Sequence, residues 1–240
     1  METNYISNQD PIETPVNKRR EFLKRGAILV ASTSVAGVSL LTGCRENDEG
    51  VAPAEDLMRE HGLLNRILLI YDNCKENLVR GEQFSIDALH NSAQIIRSFI
   101  EDYHEKLEEN FLFPRFEKAN LLTDLVQVLL VQHKAGREMT AQIINLSKPN
   151  NNPDDTQKLI KLLTSFNIMY RPHEAREDTI LFPSLRKIIS KNEYFSLGED
   201  FEDKENELFG KNGFENMVEK VAGLEKQLGI YELSKFTPLL

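Results

Sequence analysis

The sequence predicts an all-α protein, an up-down-up-down four-helix bundle followed by short C-terminal helices. Composition is the first reason: Leu, Glu and Lys dominate, Trp is absent, and the Val-Ile-Thr alternation of strands is scarce. Periodicity is the second, because four long stretches repeat apolar residues at spacings of three and four, as amphipathic helices do. The third is that short Gly-, Pro- or Asn-containing breaks separate these stretches, so successive helices turn back on one another. Hydrophobic content of 40% and charged content of 28% suit a globular chain. A net charge of -9, with no basic run beyond the first 25 residues, excludes a nucleic-acid partner.

Residues 1–44 read as an export leader rather than part of the fold. Lys18, Arg19, Arg20, Lys24 and Arg25 precede an uncharged stretch from Gly26 to Gly43, and Cys44 follows. Arg19-Arg20-Glu21-Phe22-Leu23-Lys24 resembles the twin-arginine export consensus, and Leu41-Thr42-Gly43-Cys44 resembles a bacterial lipobox. These resemblances imply a chain exported to the periplasmic or cell-surface face and held to the membrane only through a lipid at Cys44. Cys74 is then the one free thiol, read as a small core or surface residue on a helix. Residues 45–53 form a polar tether.

The first helix is expected over 54–79, with Leu57, His61, Leu64 and Leu68 on one stripe, halting before Gly81. The second starts near Ser85 and keeps Ile96, Ile100, His104, Leu107 and Phe111 in register. Thr123 is the expected N-cap of the third, which runs to Leu146 with Val126, Leu129, His133 and Gly136 aligned. Pro149 to Pro153 is a break, and the fourth helix starts near Asp155, aligning Leu159, Leu162, Phe166, Met169, His173 and Ile180. The four make a bundle over 54–190. Residues 191–240 are acidic and read as a helical cap, with helices over 198–208 and 214–228 separated by Gly-Lys-Asn-Gly.

Two phrases in the bundle nearly coincide: HEKLEENFLFP from His104 to Pro114 and HEAREDTILFP from His173 to Pro183. His61 lies 43 residues before the first and His133 lies 40 before the second, so each half is a helical hairpin with one His and one His-x-x-x-Glu. Four of the five histidines fill these slots, all on apolar stripes. Residues four apart differ by about 40° around a helix, so His104 shares a face with Glu108 and His173 with Glu177. The expected core therefore holds His61, His104, Glu108, His133, His173 and Glu177. Two buried carboxylates without partners would be destabilising by several kcal/mol each or take up protons. Two metal ions ~3.5–4 Å apart, sharing both carboxylates and taking two histidines each, resolve this. Imidazole with carboxylate suits iron, manganese or zinc.

Other residues near these positions have plainer readings. His90 lies outside the repeat, at the surface or behind the site. Glu105 and Glu174 point off the ligand face, into solvent or behind the ligands. Arg137 screens the site or pairs with a carboxylate. Phe113, Phe182, Tyr103 and Tyr170 pack the core, with a tyrosine in reach able to donate to a bound oxygen species. Pro114 and Pro183 kink their helices at the bundle end, and Pro172 bends the fourth helix beside His173.

These residues resemble the hemerythrin-like, or HHE cation-binding, family over about residues 54–190, through His61, His104-x-x-x-Glu108, His133, His173-x-x-x-Glu177 and the Leu-Phe-Pro after each His-Glu phrase. The tail, with ELFG from Glu207 to Gly210 and GFENMVEKV after it, is similar to tails of bacterial members. The resemblance implies two iron ions (Fe2+/Fe3+) bridged by an oxygen species and by both glutamates. Hemerythrins proper carry His-x-x-x-His on the third helix, where this chain has Arg137, and His-x-x-x-x-Asp on the fourth, where Asp178 fills the slot. Glu177 is the assigned ligand and Asp178 its reserve. With four His and two Glu, the chain is more similar to the bacterial hemerythrin-like and cluster-repair branch than to the oxygen carriers. The expected function is binding of a small diatomic ligand, O2 or NO, for storage, sensing or detoxification. The alternative is a di-iron enzyme acting on peroxide or NO or repairing iron–sulfur clusters.

Overall fold

Helix α1 (Pro53–Arg80) starts on a proline, whose missing N–H removes nothing from a first turn. It ends at Gly81, where φ is 68° and the N–H groups of Gly81 and Glu82 close on Leu78 and Asn77. The computed structural model describes residues 52–148 and 152–238. The expected leader at 1–44 and nearly all of the tether lie outside the described residues. Helix α2 (86–119) opens on Ser85, whose hydroxyl accepts from the Ala88 N–H, and closes at Asn120, with φ 49°. Helix α3 (Thr123–Leu146) differs from expectation at its start. Thr123 is already helical, and Leu122 takes the cap position at φ 55° without a side-chain bond. Helix α4 (153–185) is capped by Asn152, which accepts from the Asp155 N–H at 2.9 Å.

Helix α5 (Lys191–Phe209) begins well before residue 198, because Ser190 caps it by accepting from Glu193, three residues on. Gly198, where the helix was expected to start, is instead buried inside it. Helix α6 (Gly213–Gln227) follows. Among the described residues there is no strand, and no helix is long and apolar enough to cross a membrane.

Each long helix packs on two others: α1 and α3 both contact α2 and α4. The interior they enclose buries Leu64, Ile67, Phe99, Phe116, Leu129 and Phe166 almost completely. Helices α5 and α6 lie against α1 and α2. Phe209 sits 5.3 Å from the Phe99 ring, and Arg66 forms a forked ion pair with Glu225. The fourth-helix stripe is partly displaced. Leu163, Tyr170 and Leu181 are buried, whereas Leu162 and Met169 are half-buried and Ile180 is 39% exposed.

Ile180 lies in a wide turn, which shifts every later side chain around the axis. Such turns span Ile96–His104 and Glu108–Leu112 in α2 and Glu177–Leu181 in α4. They close with bonds that reach back five residues, from Glu105 to Ile100, Phe113 to Glu108, and Phe182 to Glu177. Pro114 and Pro183 stand two residues beyond the last two, after Phe113 and Phe182. Proline lacks an N–H and its ring crowds the carbonyl four residues back, so a widened turn before it relieves both problems. Each proline thus stands in the first turn after a wide turn, and the helix continues beyond it.

Gly136 sets how closely α3 approaches α4. A Cβ built there would lie 2.0 Å from the Tyr170 hydroxyl. Gly136→Ala should therefore lower stability by about 1–3 kcal/mol in denaturant unfolding. Gly62→Ala on α1, with nothing within 4 Å of its Cβ, should be neutral or stabilising in the same measurement.

Candidate metal centre

All four helices send side chains to one interior point: His61 from α1, His104 and Glu108 from α2, His133 from α3, His173 and Glu177 from α4. None of the six is more than 4% exposed. Glu108, His133, His173 and Glu177 each bring a ligand atom into a group spanning no more than 4.8 Å, and His61, His104 and Glu108 form a second such group. Glu108 belongs to both. Its Oε1 lies 3.7 Å from His104 Nε2 and its Oε2 3.4 Å from His133 Nε2. Glu177 Oε2 likewise lies 3.4 Å from His61 Nε2 and 3.1 Å from His173 Nε2.

Every imidazole turns Nε2 inward because something outside holds Nδ1. The Nδ1–H of His61 donates to Asp178 at 2.7 Å, that of His104 to Glu60 at 2.6 Å, and that of His133 to Glu109 at 3.1 Å. His173 donates to the Gln132 amide oxygen at 3.0 Å. Such bonds fix both the ring orientation and the nitrogen left free for a metal. Asp178, the reserve ligand of the sequence reading, points away from the interior and serves His61 instead. Glu60, Glu109 and Gln132 were not singled out in the sequence. Their one signal is position, since each adjoins a site residue.

The repeated Leu-Phe-Pro also gains a role beyond core packing. Phe113 stacks on the His133 ring at 5.6 Å, and Phe182 stacks on His61 at 5.5 Å. Each phrase therefore supplies a His, a Glu and the aromatic wall over a histidine of a neighbouring helix. Glu105 and Glu174 are buried, so the solvent reading of them does not hold. Glu105 accepts from the Tyr170 hydroxyl at 2.8 Å and pairs with Arg137, while Asn65 donates to Glu174. Arg137 also reaches Glu109 at 2.6 Å, making an interhelical ion pair behind His133. His90 is half-buried and bonds Ser147 through Nδ1. Cys74 is buried in the core, where burial pushes its thiol up to about 12.

The donor set fits a cation. Both oxygens of Glu108, both of Glu177 and Nε2 of His133 are buried without a hydrogen bond, which interior polar atoms rarely tolerate. Protons otherwise carry the balancing charge. Burial opposes charging His61, but the Asp178 bond and the Glu177 carboxylate hold its imidazole well above the usual range. The same contest at His133, between burial and the carboxylates of Glu108 and Glu109, ends at about 10. His104 falls to about 4, chiefly through burial. Burial would raise Glu177, yet His173 and His61 hold it well below the usual carboxylate range. Burial lifts both Glu60 and Glu174 to about 8.

Glu109 behaves oppositely. Burial is outweighed by His133, Lys106 and Arg137, which bring it down to about 2. A carboxylate depressed on folding stabilises the native state above its unfolded value and loses that contribution as pH falls toward its folded value. Glu109→Gln should therefore flatten the loss of stability between about pH 5 and 2, read from unfolding midpoints across that range.

Residues 52–185 match the hemerythrin HHE cation binding domain. The chain is 43% identical over 231 residues to an uncharacterized protein of Mycobacterium bovis, covering 89% of this chain and 91% of that one. Uncharacterized proteins of two Mycobacterium tuberculosis strains, CDC 1551 and H37Rv, match to the same extent. No solved structure matches the chain. The residues able to hold a metal lie inside the matched span, and the chain belongs to the hemerythrin HHE cation-binding family.

Proposed function

We propose that this protein holds two iron ions inside an up-down-up-down four-helix bundle and uses them to bind a small diatomic ligand, O2 or NO. His61 and His104 would hold one ion and His133 and His173 the other, with Glu108 and Glu177 shared. The observation that carries this is the reach of the two glutamates, each placed between imidazoles of both pairs. The ring of contacts among α1, α2, α3 and α4 supports the bundle. Iron supplies reversible electron transfer to O2 or NO, and two histidines with two shared carboxylates leave each ion room for an exchangeable ligand. The protein's part is to orient the imidazoles through their Nδ1 partners and to wall the centre with Phe113 and Phe182. The twin-arginine and lipobox resemblances support export of the folded, loaded chain and a lipid anchor at Cys44.

Anaerobic titration of the full chain with iron(II) should reach about two ions per chain, with protons released as imidazolium gives way to metal. His61 and His133, held in the charged form, should contribute to that release, so acidification should be detectable at neutral pH in a weakly buffered indicator assay. Chelation should lower the thermal midpoint, since a ligand bound only by the native state stabilises it. Glu108→Gln should remove most of the uptake. The loaded protein should change its optical spectrum on exposure to O2 or NO, and no change with either would defeat the ligand-binding reading. Consumption of peroxide or NO well beyond one equivalent would make the protein an enzyme instead.

A further inference from the structure

The internal repeat gives each residue around the centre a counterpart in the other half. His61 corresponds to His133, His104 to His173, and Glu108 to Glu177. The outer partners follow the same rule. Asp178 behind His61 corresponds to Glu109 behind His133, each directly after a shared glutamate. Glu105 and Glu174, each directly after a histidine, are both buried.

Two matched positions break the symmetry. Glu60, just before His61, accepts from His104, whereas Gln132, just before His133, accepts from His173. Four residues after His61 stands Asn65, which donates to Glu174. Four residues after His133 stands Arg137, which pairs with both Glu105 and Glu109. Both differences act in the same direction. Glu60 is able to carry negative charge and Gln132 never is, while Arg137 is always positive and Asn65 always neutral. Glu109 is moreover divided among His133, Arg137 and Lys106, so less of its charge supports the imidazole.

We infer that the two cation positions are unequal, with the His61–His104 position filling first and more tightly and the His133–His173 position weaker and more readily exchanged. A carboxyl group on the outer nitrogen, which can give up its proton when a cation binds on the far side of the ring, makes an imidazole a better donor than an amide does. Such partners change metal affinity by about 10–100-fold. A guanidinium near the second position opposes a cation there by simple repulsion. The inference rests on the two-ion reading above and assigns each position its residues.

Anaerobic calorimetry of the full chain with iron(II) tests it. The native sequence should show two steps at least about tenfold apart. Glu60→Gln should weaken the first step and narrow the gap, and Gln132→Glu should tighten the second and narrow it from the other side. Both replacements keep side-chain size, and thermal unfolding of the unloaded variants checks that each is folded. Two steps of equal affinity, or a gap that neither replacement moves, would overturn the inequality while leaving the two-ion reading intact. Uptake of no iron by the native chain would overturn both.

Discussion

Two carboxylates in a dry interior need positive charge, and most of the polar architecture here answers that need. Glu108 and Glu177 are wholly buried, and their oxygens face imidazole nitrogens rather than water. An uncompensated charge there would be destabilising by several kcal/mol. Four histidines brought from four helices answer it, as imidazolium or as ligands to a cation. The same demand explains the second layer of groups. A histidine presents Nε2 inward only while its Nδ1–H has an acceptor, and Glu60, Glu109, Gln132 and Asp178 provide four.

The helices are adapted to this interior. Wide turns interrupt α2 and α4 where the site residues lie: His104 ends one, Glu108 starts another and Glu177 starts the third. Two of them end two residues before the prolines of the repeated phrase, and the intervening Phe113 and Phe182 lie over histidines of neighbouring helices. One short motif thus supplies a ligand pair, a backbone adjustment and an aromatic wall. Duplication of the motif yields two matched sets of inward histidines and glutamates, and the match departs at Glu60 against Gln132 and at Asn65 against Arg137.

Some expectations failed for identifiable reasons. Thr123 looks like a cap by residue type, but capping needs non-helical backbone at that residue, and Leu122 takes it. Helix α5 was expected to start at Gly198, but the cap that starts it is Ser190, so Gly198 lies buried inside the helix. The stripe drawn through Ile180 assumed a constant period, and the wide turn at Glu177 changes that period within the helix. Ahead of that turn Leu163 and Tyr170, not Leu162 and Met169, take the inward positions. Glu105 and Glu174 face away from the ligands, as their spacing requires, but away from the ligands is still inside the protein.

The helices, the repeat and the set of four histidines and two glutamates were legible in the sequence alone, because apolar periodicity and i,i+4 spacing are properties of one helix about its own axis. The partners of those residues were not. Which acceptor holds each Nδ1, whether Glu177 or Asp178 faces inward, and where Arg137 finds its carboxylates all depend on the rotation and separation of neighbouring helices. Those are fixed by packing between segments up to 117 residues apart, as between His61 and Asp178, and no local pattern encodes them.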